Sequence, residues 1–232
     1  MQFGNPHLGE LGIVIPAFNA ELFLEKTLQA ILLKVPAEKI IIIDDGSTDQ
    51  TLLKAQKLGL HTLRHNSNQG KGTALMTGFA YAQALGWSWA ITMDADGQHD
   101  PDDLNAFLDM VPGDKTALVV GRRKIHKSSM PLHRRFSNAT TTGIISKLAR
   151  QDVYDAQCGF RMYKLSAVTS SHFPKEGRFE FESKVLVLLC RKGFLLEPLD
   201  IATVYTDNGS HMRLVRDTLR FLKMVWSLFW MR

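Results

Sequence analysis

Two cysteines, Cys158 and Cys190, are all that the chain contains. Two are too few for a disulfide framework or a zinc site, so both read as buried small hydrophobes in a reducing compartment. No window stays apolar for the ~18 residues that a membrane-crossing helix needs. Residues 1–10 carry no basic region followed by an apolar segment, which argues against a signal peptide. Internal repeats and low-complexity linkers are also missing. These absences point to the cytosol and to one folded unit. What is present is 232 residues, 45% of them hydrophobic, enough for one sizeable core in a single α/β domain with at most a short appendage. The net charge of +5 favours acidic partners, whether nucleic acid, phosphorylated substrates or an anionic membrane surface.

Short apolar runs alternate with helical periodicity through the first half. Strands are predicted at Leu11 to Ile15 (ended by Pro16), Lys39 to Asp44, Leu60 to Arg64 and Trp89 to Met93. Helices are predicted at Ala20 to Leu33, Thr48 to Leu58, Lys71 to Leu85 and, begun by Pro101, Asp102 to Val111. Such alternation specifies a mostly parallel sheet covered on both faces. The second half is less regular, with strands at Ala117 to Val120, Phe160 to Tyr163 and Leu195 to Val204. Helices follow at His133 to Leu148, Glu180 to Arg191 and Met212 to Met231, with His126 to Pro131 as a loop.

In parallel sheets ligands bind beyond the carboxyl ends of the strands. Pro16 to Asn19, Asp44 to Ser47 and Asp94 to Asp96 all fall there. Asp94 and Asp96 are one residue apart, and like charges that close raise each other's pKa. A hard divalent cation relieves that conflict, since Mg²⁺ or Mn²⁺ is commonly shared between one or two carboxylates and a substrate's phosphates. Gln98 can add a carbonyl oxygen and His99 an imidazole. An acidic turn capping the next helix is the competing reading.

Asp45 can accept from a nucleobase N–H or cap the following helix, for which Ser47, Thr48 and Asp49 are also available. Asn68 to Thr73 departs from the P-loop pattern, because His65 stands where the first glycine belongs and Gly72 follows Lys71. Its glycines still permit close approach to a nucleotide at a helix start. His61 and His65 read as surface or interface histidines. Arg122, Arg123, Lys124, Lys127, Arg134 and Arg135 form a basic cluster suited to closing over a phosphate. Nucleic acid is not expected, because only Phe136 supplies an aromatic platform nearby.

The last helix sets Arg213, Arg216, Arg220 and Lys223 on one face, largely opposite Leu214, Val215, Leu219, Leu222, Val225, Trp226, Phe229 and Trp230. That pattern fits an interfacial membrane helix. Docking on the protein's own core or on a second subunit is the alternative.

Taken together, six segments resemble glycosyltransferase family 2, the inverting enzymes of GT-A fold, and within it the polyprenyl-phosphate branch of mannosyl- and glucosyltransferases. They are Val14 to Asn19, Ile43 to Asp49, Asn68 to Gly72, Met93 to His99, Gly121 to Arg123 and Asp155 to Arg161, in family order. The resemblance implies a Rossmann-like catalytic domain over residues 1–211 and an amphipathic helix over 212–232. It implies that Pro16, Phe18, Asn19, Ile43, Asp45, Gly46, Lys71, Gly72 and Ala95 bind a nucleoside-diphosphate sugar. Asp94, Asp96 and Gln98 would hold Mg²⁺ or Mn²⁺. Asp94, Asp96, Arg123 and Arg161 would form the catalytic set. Arg123, Arg134, Arg135, Gln157 and His211 would meet the acceptor phosphate, and Arg161 would meet a donor or acceptor phosphate. Phe18 stands where tyrosine is frequent, Ala20 where glutamate is, and His211 where lysine is.

The implied activity is inverting transfer of a hexose from a UDP- or GDP-sugar to a polyprenyl-phosphate lipid. It would take place on the cytoplasmic face of a membrane, in a peripheral protein, with a homodimer or a membrane-protein partner possible. A phosphate acceptor is already anionic near neutral pH and needs no strong general base. Were Glu180 or Glu182 a base, a hydroxyl acceptor in cell-envelope polysaccharide synthesis would fit better. A non-catalytic nucleotide-sugar-binding scaffold is the remaining alternative.

Overall fold

The computed structural model describes residues 10–123, 132–170, 173, 178, 180–202 and 214–230, without the side chains of 132–137 and 214–217. Seven strands form one sheet: β1 (Leu11–Ala17), β2 (Ile40–Asp44), β3 (His61–Arg64), β4 (Trp89–Thr92), β5 (Thr116–Arg123), β6 (Arg161–Lys164) and β7 (Leu195–Ile201). Their spatial order is β3-β2-β1-β4-β6-β5-β7. All run parallel except β6, which lies antiparallel between β4 and β5. The expected mostly parallel GT-A sheet with helices on both faces is the one found.

The four isoleucines of β2 show why a continuous apolar run is needed. Successive side chains of a strand point to opposite faces, so Ile41 and Ile43 join one buried cluster while Ile40 and Ile42 join the other. The first cluster lies under α3 (Lys71–Ala84), α5 (Leu132–Ala149) and α7 (Glu180–Arg191). The second lies under α1 (Leu24–Leu32) and α4 (Leu104–Asp109) and touches α2 (Thr51–Lys57) through Ala55. Each fully buried Ile or Leu contributes about 1.5–3 kcal/mol of apolar transfer.

β1 continues through Pro16 instead of ending before it. Ala17 O accepts from Asp45 N–H, so the alternating Pro16 nitrogen faces the β4 side, where β4 has already stopped opposite Val14 and no ladder bond is lost. α2 begins at Thr51, three residues after its expected start, because the preceding turn fastens to the loop after β1. Pro101–Asp103 forms a 3-10 turn before α4, with the Asp100 carboxylate accepting from Asp102 N–H at 2.9 Å. A short helix, α6 (Leu165–Val168), has no counterpart in the sequence reading. Cys158 and Cys190 are both free and buried, and burial pushes each thiol up to about 12.

The last helix, α8 (Leu214–Trp230), packs on α7. Met224 and Leu228 are buried in the first cluster, Phe221 and Val225 border it, and Arg191 Nη1 donates to the Leu228 carbonyl at 2.6 Å. Among the described residues, no helix is long and apolar enough to cross a membrane.

Candidate active site

The polar residues gather at the carboxyl ends of β1, β2 and β4. The loops after β1 and β2 are sewn together: Asn19 N–H donates to Ser47 Oγ at 3.0 Å, and Thr48 N–H to Asn19 Oδ1 at 2.9 Å. Ala20 N–H donates to Thr51 Oγ1, and Gln50 N–H to Glu21 Oε2. The Asn19 side chain is thereby committed to the neighbouring loop. Pro16 is half-buried and Phe18 is exposed, so both remain at the surface of this edge. Ile43 is fully buried in the first cluster and Ala95 almost so in the second. Neither side chain can line a nucleotide; only their backbone could.

Asp45 is buried and has three donors. His65 Nδ1 lies 2.7 Å from Oδ1, Gln69 N–H donates to Oδ1 at 2.9 Å and Gly70 N–H to Oδ2 at 2.8 Å. His65 also reaches Thr77 Oγ1 through Nε2 at 3.0 Å. It is therefore a strut between β2 and α3, not the surface histidine expected from its strand-like setting. Gly70 adopts φ 101°, a conformation open to glycine, and this aims its N–H at Asp45 as α3 begins.

The next residue, Lys71, turns its ammonium the other way. Nζ lies 2.6 Å from Asp94 Oδ1 and 2.8 Å from Glu182 Oε2. Burial alone would lower the Lys71 pKa, but the two carboxylates hold it well above the usual lysine value. Burial would likewise raise Asp94, yet Lys71 and then His99 hold its carboxyl far below the usual range. His99 Nε2 stands 3.7 Å from Asp94 Oδ2, and its ring packs edge-on against Phe160. Gly159 backs onto this cluster, since a Cβ there would meet Asp94 and lie 2.8 Å from Lys71 Nζ. Among the described residues Glu182 Oε1 has no hydrogen-bond partner.

Asp96 differs from Asp94. It is half-buried and its hydrogen bond comes from its own loop, Gln98 N–H to Oδ1 at 3.0 Å. Its pKa is raised, first by burial and then by the Asp94 charge. The Gln98 side chain is exposed beside it. No cluster of three or more His, Cys, Asp or Glu suited to a metal occurs among the described residues. The donor set is thus one incompletely compensated carboxylate, a neighbouring carboxylate and an amide oxygen. That set fits Mg²⁺ or Mn²⁺, which take few protein ligands and leave the rest to water and phosphate, and does not fit a closed protein cage.

The antiparallel β6 explains how the Asp155 to Arg161 segment reaches this edge. Its first residue, Arg161, pairs with Thr92 near the end of β4 and with Val120 in β5. Thr92 Oγ1 donates to the Gly159 carbonyl at 2.9 Å. Arg161, expected to meet a phosphate, is instead fully buried. Nε donates to the Cys158 carbonyl at 2.6 Å, Nη1 to Glu182 O at 3.0 Å and Nη2 to Ala156 O at 2.8 Å. That is a correction: its charge braces the loop and the start of α7. Arg123 forms a two-pronged pair with Asp155, at 2.6 and 2.9 Å, and so ties β5 to the same loop. Gln157 is exposed beside Asp155. The expectations for Lys124, Lys127, Arg134, Arg135 and His211 lie outside the described residues and side chains.

Three participants were not anticipated in these positions: Glu182 on Lys71, Gly159 behind the pair, and Arg178, whose Nη1 reaches Asn68 Oδ1 at 3.2 Å. No local pattern marks a contact between residues 110 apart in the chain.

Comparison with known proteins agrees with this architecture. The sequence model described as glycosyl transferase family 2 matches residues 12–170. The chain belongs to that family, and it is a glycosyltransferase. A UDP-N-acetylglucosamine–dolichyl-phosphate N-acetylglucosaminyltransferase from Methanococcus voltae is 31% identical, covering 84% of this chain and 86% of the relative. A polyprenol monophosphomannose synthase from Mycolicibacterium smegmatis is 29% identical, covering 69% and 67%. Among solved structures, glucosyl-3-phosphoglycerate synthase from Mycobacterium tuberculosis bound to UDP matches with a TM-score of 0.77 at 17% identity, over 98% of this chain and 84% of that one. Further structures of that enzyme contain Mn²⁺ or Mg²⁺ with UDP.

Proposed function

We propose that the protein transfers a hexose, with inversion, from a UDP- or GDP-sugar to a polyprenyl-phosphate lipid. In this reading it acts as a peripheral protein on the cytoplasmic face of a membrane. The observation that carries the reading is the pairing of a half-buried Asp96 with an ion-bound Asp94 at the end of β4. The relatives named for lipid-phosphate acceptors support it. A divalent cation held by Asp96, with Gln98 and Asp94 beside it, would offset the charge of the departing diphosphate.

The chain's own residues do the positioning. Asp45 fixes the Asn68–Gly70 turn, leaving the N-terminus of α3 facing the site, a favourable place for anionic groups. Lys71 holds Asp94 in place and adds positive charge behind it. In this reading the half-buried Pro16 and exposed Phe18 would flank the base, and the exposed Gln157 would face the acceptor. Glu182 is bound to Lys71 and nearly buried, which weakens its case as a general base and favours an acceptor that is already ionised.

The test offers UDP- and GDP-sugars, radiolabelled in the sugar, with Mn²⁺ and either a polyprenyl phosphate or a soluble sugar acceptor. Label should enter the lipid-soluble fraction. Label only in the soluble acceptor would assign the protein to hydroxyl-directed transfer, and no transfer from any donor would favour a binding scaffold.

A further inference from the structure

α8 is a helix with two apolar faces. One is covered: Phe221, Met224, Val225 and Leu228 pack toward α7. The other is not. Leu219, Leu222, Trp226, Phe229 and Trp230 are each between 54% and 68% exposed. At 100° per residue these five fall in one stripe on the side away from Met224 and Leu228. Trp230 stacks edge-on with both Trp226 and Phe229, with centroids 5.7 Å apart in each pair, so the aromatic rings form one outward cluster. Exposed Lys223 borders the stripe, and the sequence puts Arg216 and Arg220 beyond it on the same flank.

We infer that this outer stripe is a docking face for an anionic lipid surface, with α8 lying flat against the headgroups while its inner face stays bound to α7. Charge favours a lipid over a second copy of this chain. An antiparallel two-fold pairing of the stripe sets each basic flank beside its own image, where like charges repel, whereas an anionic bilayer attracts the same flank in any orientation. Tryptophan at a water–hydrocarbon boundary satisfies both its ring and its N–H. α7 joins the two regions: Glu182 in its first turn holds Lys71, and Arg191 in its last turn holds Leu228. The lipid acceptor of the proposed function makes such a surface useful, but the docking face is tested apart from it.

The experiment is co-sedimentation of the full chain with vesicles of phosphatidylcholine alone or with phosphatidylglycerol, in the absence of donor and acceptor. Wild-type protein should partition to the anionic vesicles, less so in high salt, with a blue shift of tryptophan emission. The double variant Trp226→Ser/Phe229→Ser removes exposed side chains and should melt within a few degrees of wild type. Its partition should fall by roughly tenfold or more. Equal binding by that variant, or no binding by wild type, overturns the inference. A concentration-dependent dimer lost in the variant, without vesicle binding, assigns the face to a second copy and also overturns it. Vesicle binding without sugar transfer would overturn the proposed function alone.

Discussion

Lys71 Nζ lies 2.6 Å from Asp94 Oδ1, while the residue before it donates its N–H to Asp45. Two consecutive residues at the start of α3 therefore hold the tips of β2 and β4 at once. This makes the glycine–lysine step the joint between the carboxylates at the two strand tips.

Removing the Lys71 charge should accordingly harm folding as well as function. Lys71→Met leaves Asp94 and Glu182 facing each other without their shared cation. Breaking a buried ion pair by removing one partner costs about 3–5 kcal/mol. Urea titration of wild type and variant measures the loss, and a wild-type midpoint would mean that solvent already screens this cluster.

Asp96 should behave in the opposite manner. Its carboxylate is half-exposed and bonded within its own loop, so Asp96→Asn should leave the melting temperature near wild type. With Asp96 in its proposed role as a ligand for the cation, the change should lower kcat/KM by about 100-fold or more, from roughly 3 kcal/mol of electrostatic stabilisation. Steady-state rates over a Mn²⁺ series provide the measurement. A variant of full activity with unchanged metal dependence would remove Asp96 from the site.

How far the sequence foretold this arrangement depends on whether a contact is local. Strand tips, the alternating isoleucines of β2 and the Asp94-to-Asp96 turn are properties of short segments, and all of the strands and most helix limits were legible to within a few residues. The antiparallel β6 was not, because four residues bear no mark of strand direction. Nor was the fate of Arg161. An arginine in a polar motif reads as a phosphate contact until its three carbonyl partners, in the preceding loop and at Glu182, are known. The same holds for His65, whose partner Asp45 lies 20 residues back.

Arg161 then yields a prediction that separates bracing from binding. Arg161→Lys keeps a charge but cannot give three carbonyls a fixed fork of donors. A buried hydrogen-bond acceptor left unmatched costs about 1–3 kcal/mol. The variant should show a lower thermal midpoint, and its KM for any phosphate-bearing substrate should change less than its stability. A KM rise of tenfold or more at unchanged stability would return Arg161 to the phosphate.

Gly159 offers the sharpest probe of the ion cluster, because the substitution adds one methyl group and no charge. That methyl would collide with the Asp94 carboxylate and lie 2.8 Å from Lys71 Nζ, in a place where both partners are pinned. Neither can withdraw freely: Asp94 sits at a strand end, and Lys71 is held by Glu182 as well. Overpacking of this kind costs about 1–3 kcal/mol. Gly159→Ala should thus remain folded, with a modestly lowered thermal midpoint, while displacing Asp94 from its place at the start of the Asp94-to-Asp96 turn. Turnover should fall by about tenfold or more, more than the loss of stability would suggest, since misplacement of about an ångström at a catalytic group can cost 100-fold. Parallel melting curves and rates on the same preparation distinguish the outcomes. A Gly159→Ala enzyme with wild-type turnover would show that Asp94 can move aside without consequence, and that its tight pairing with Lys71 is not part of the chemistry.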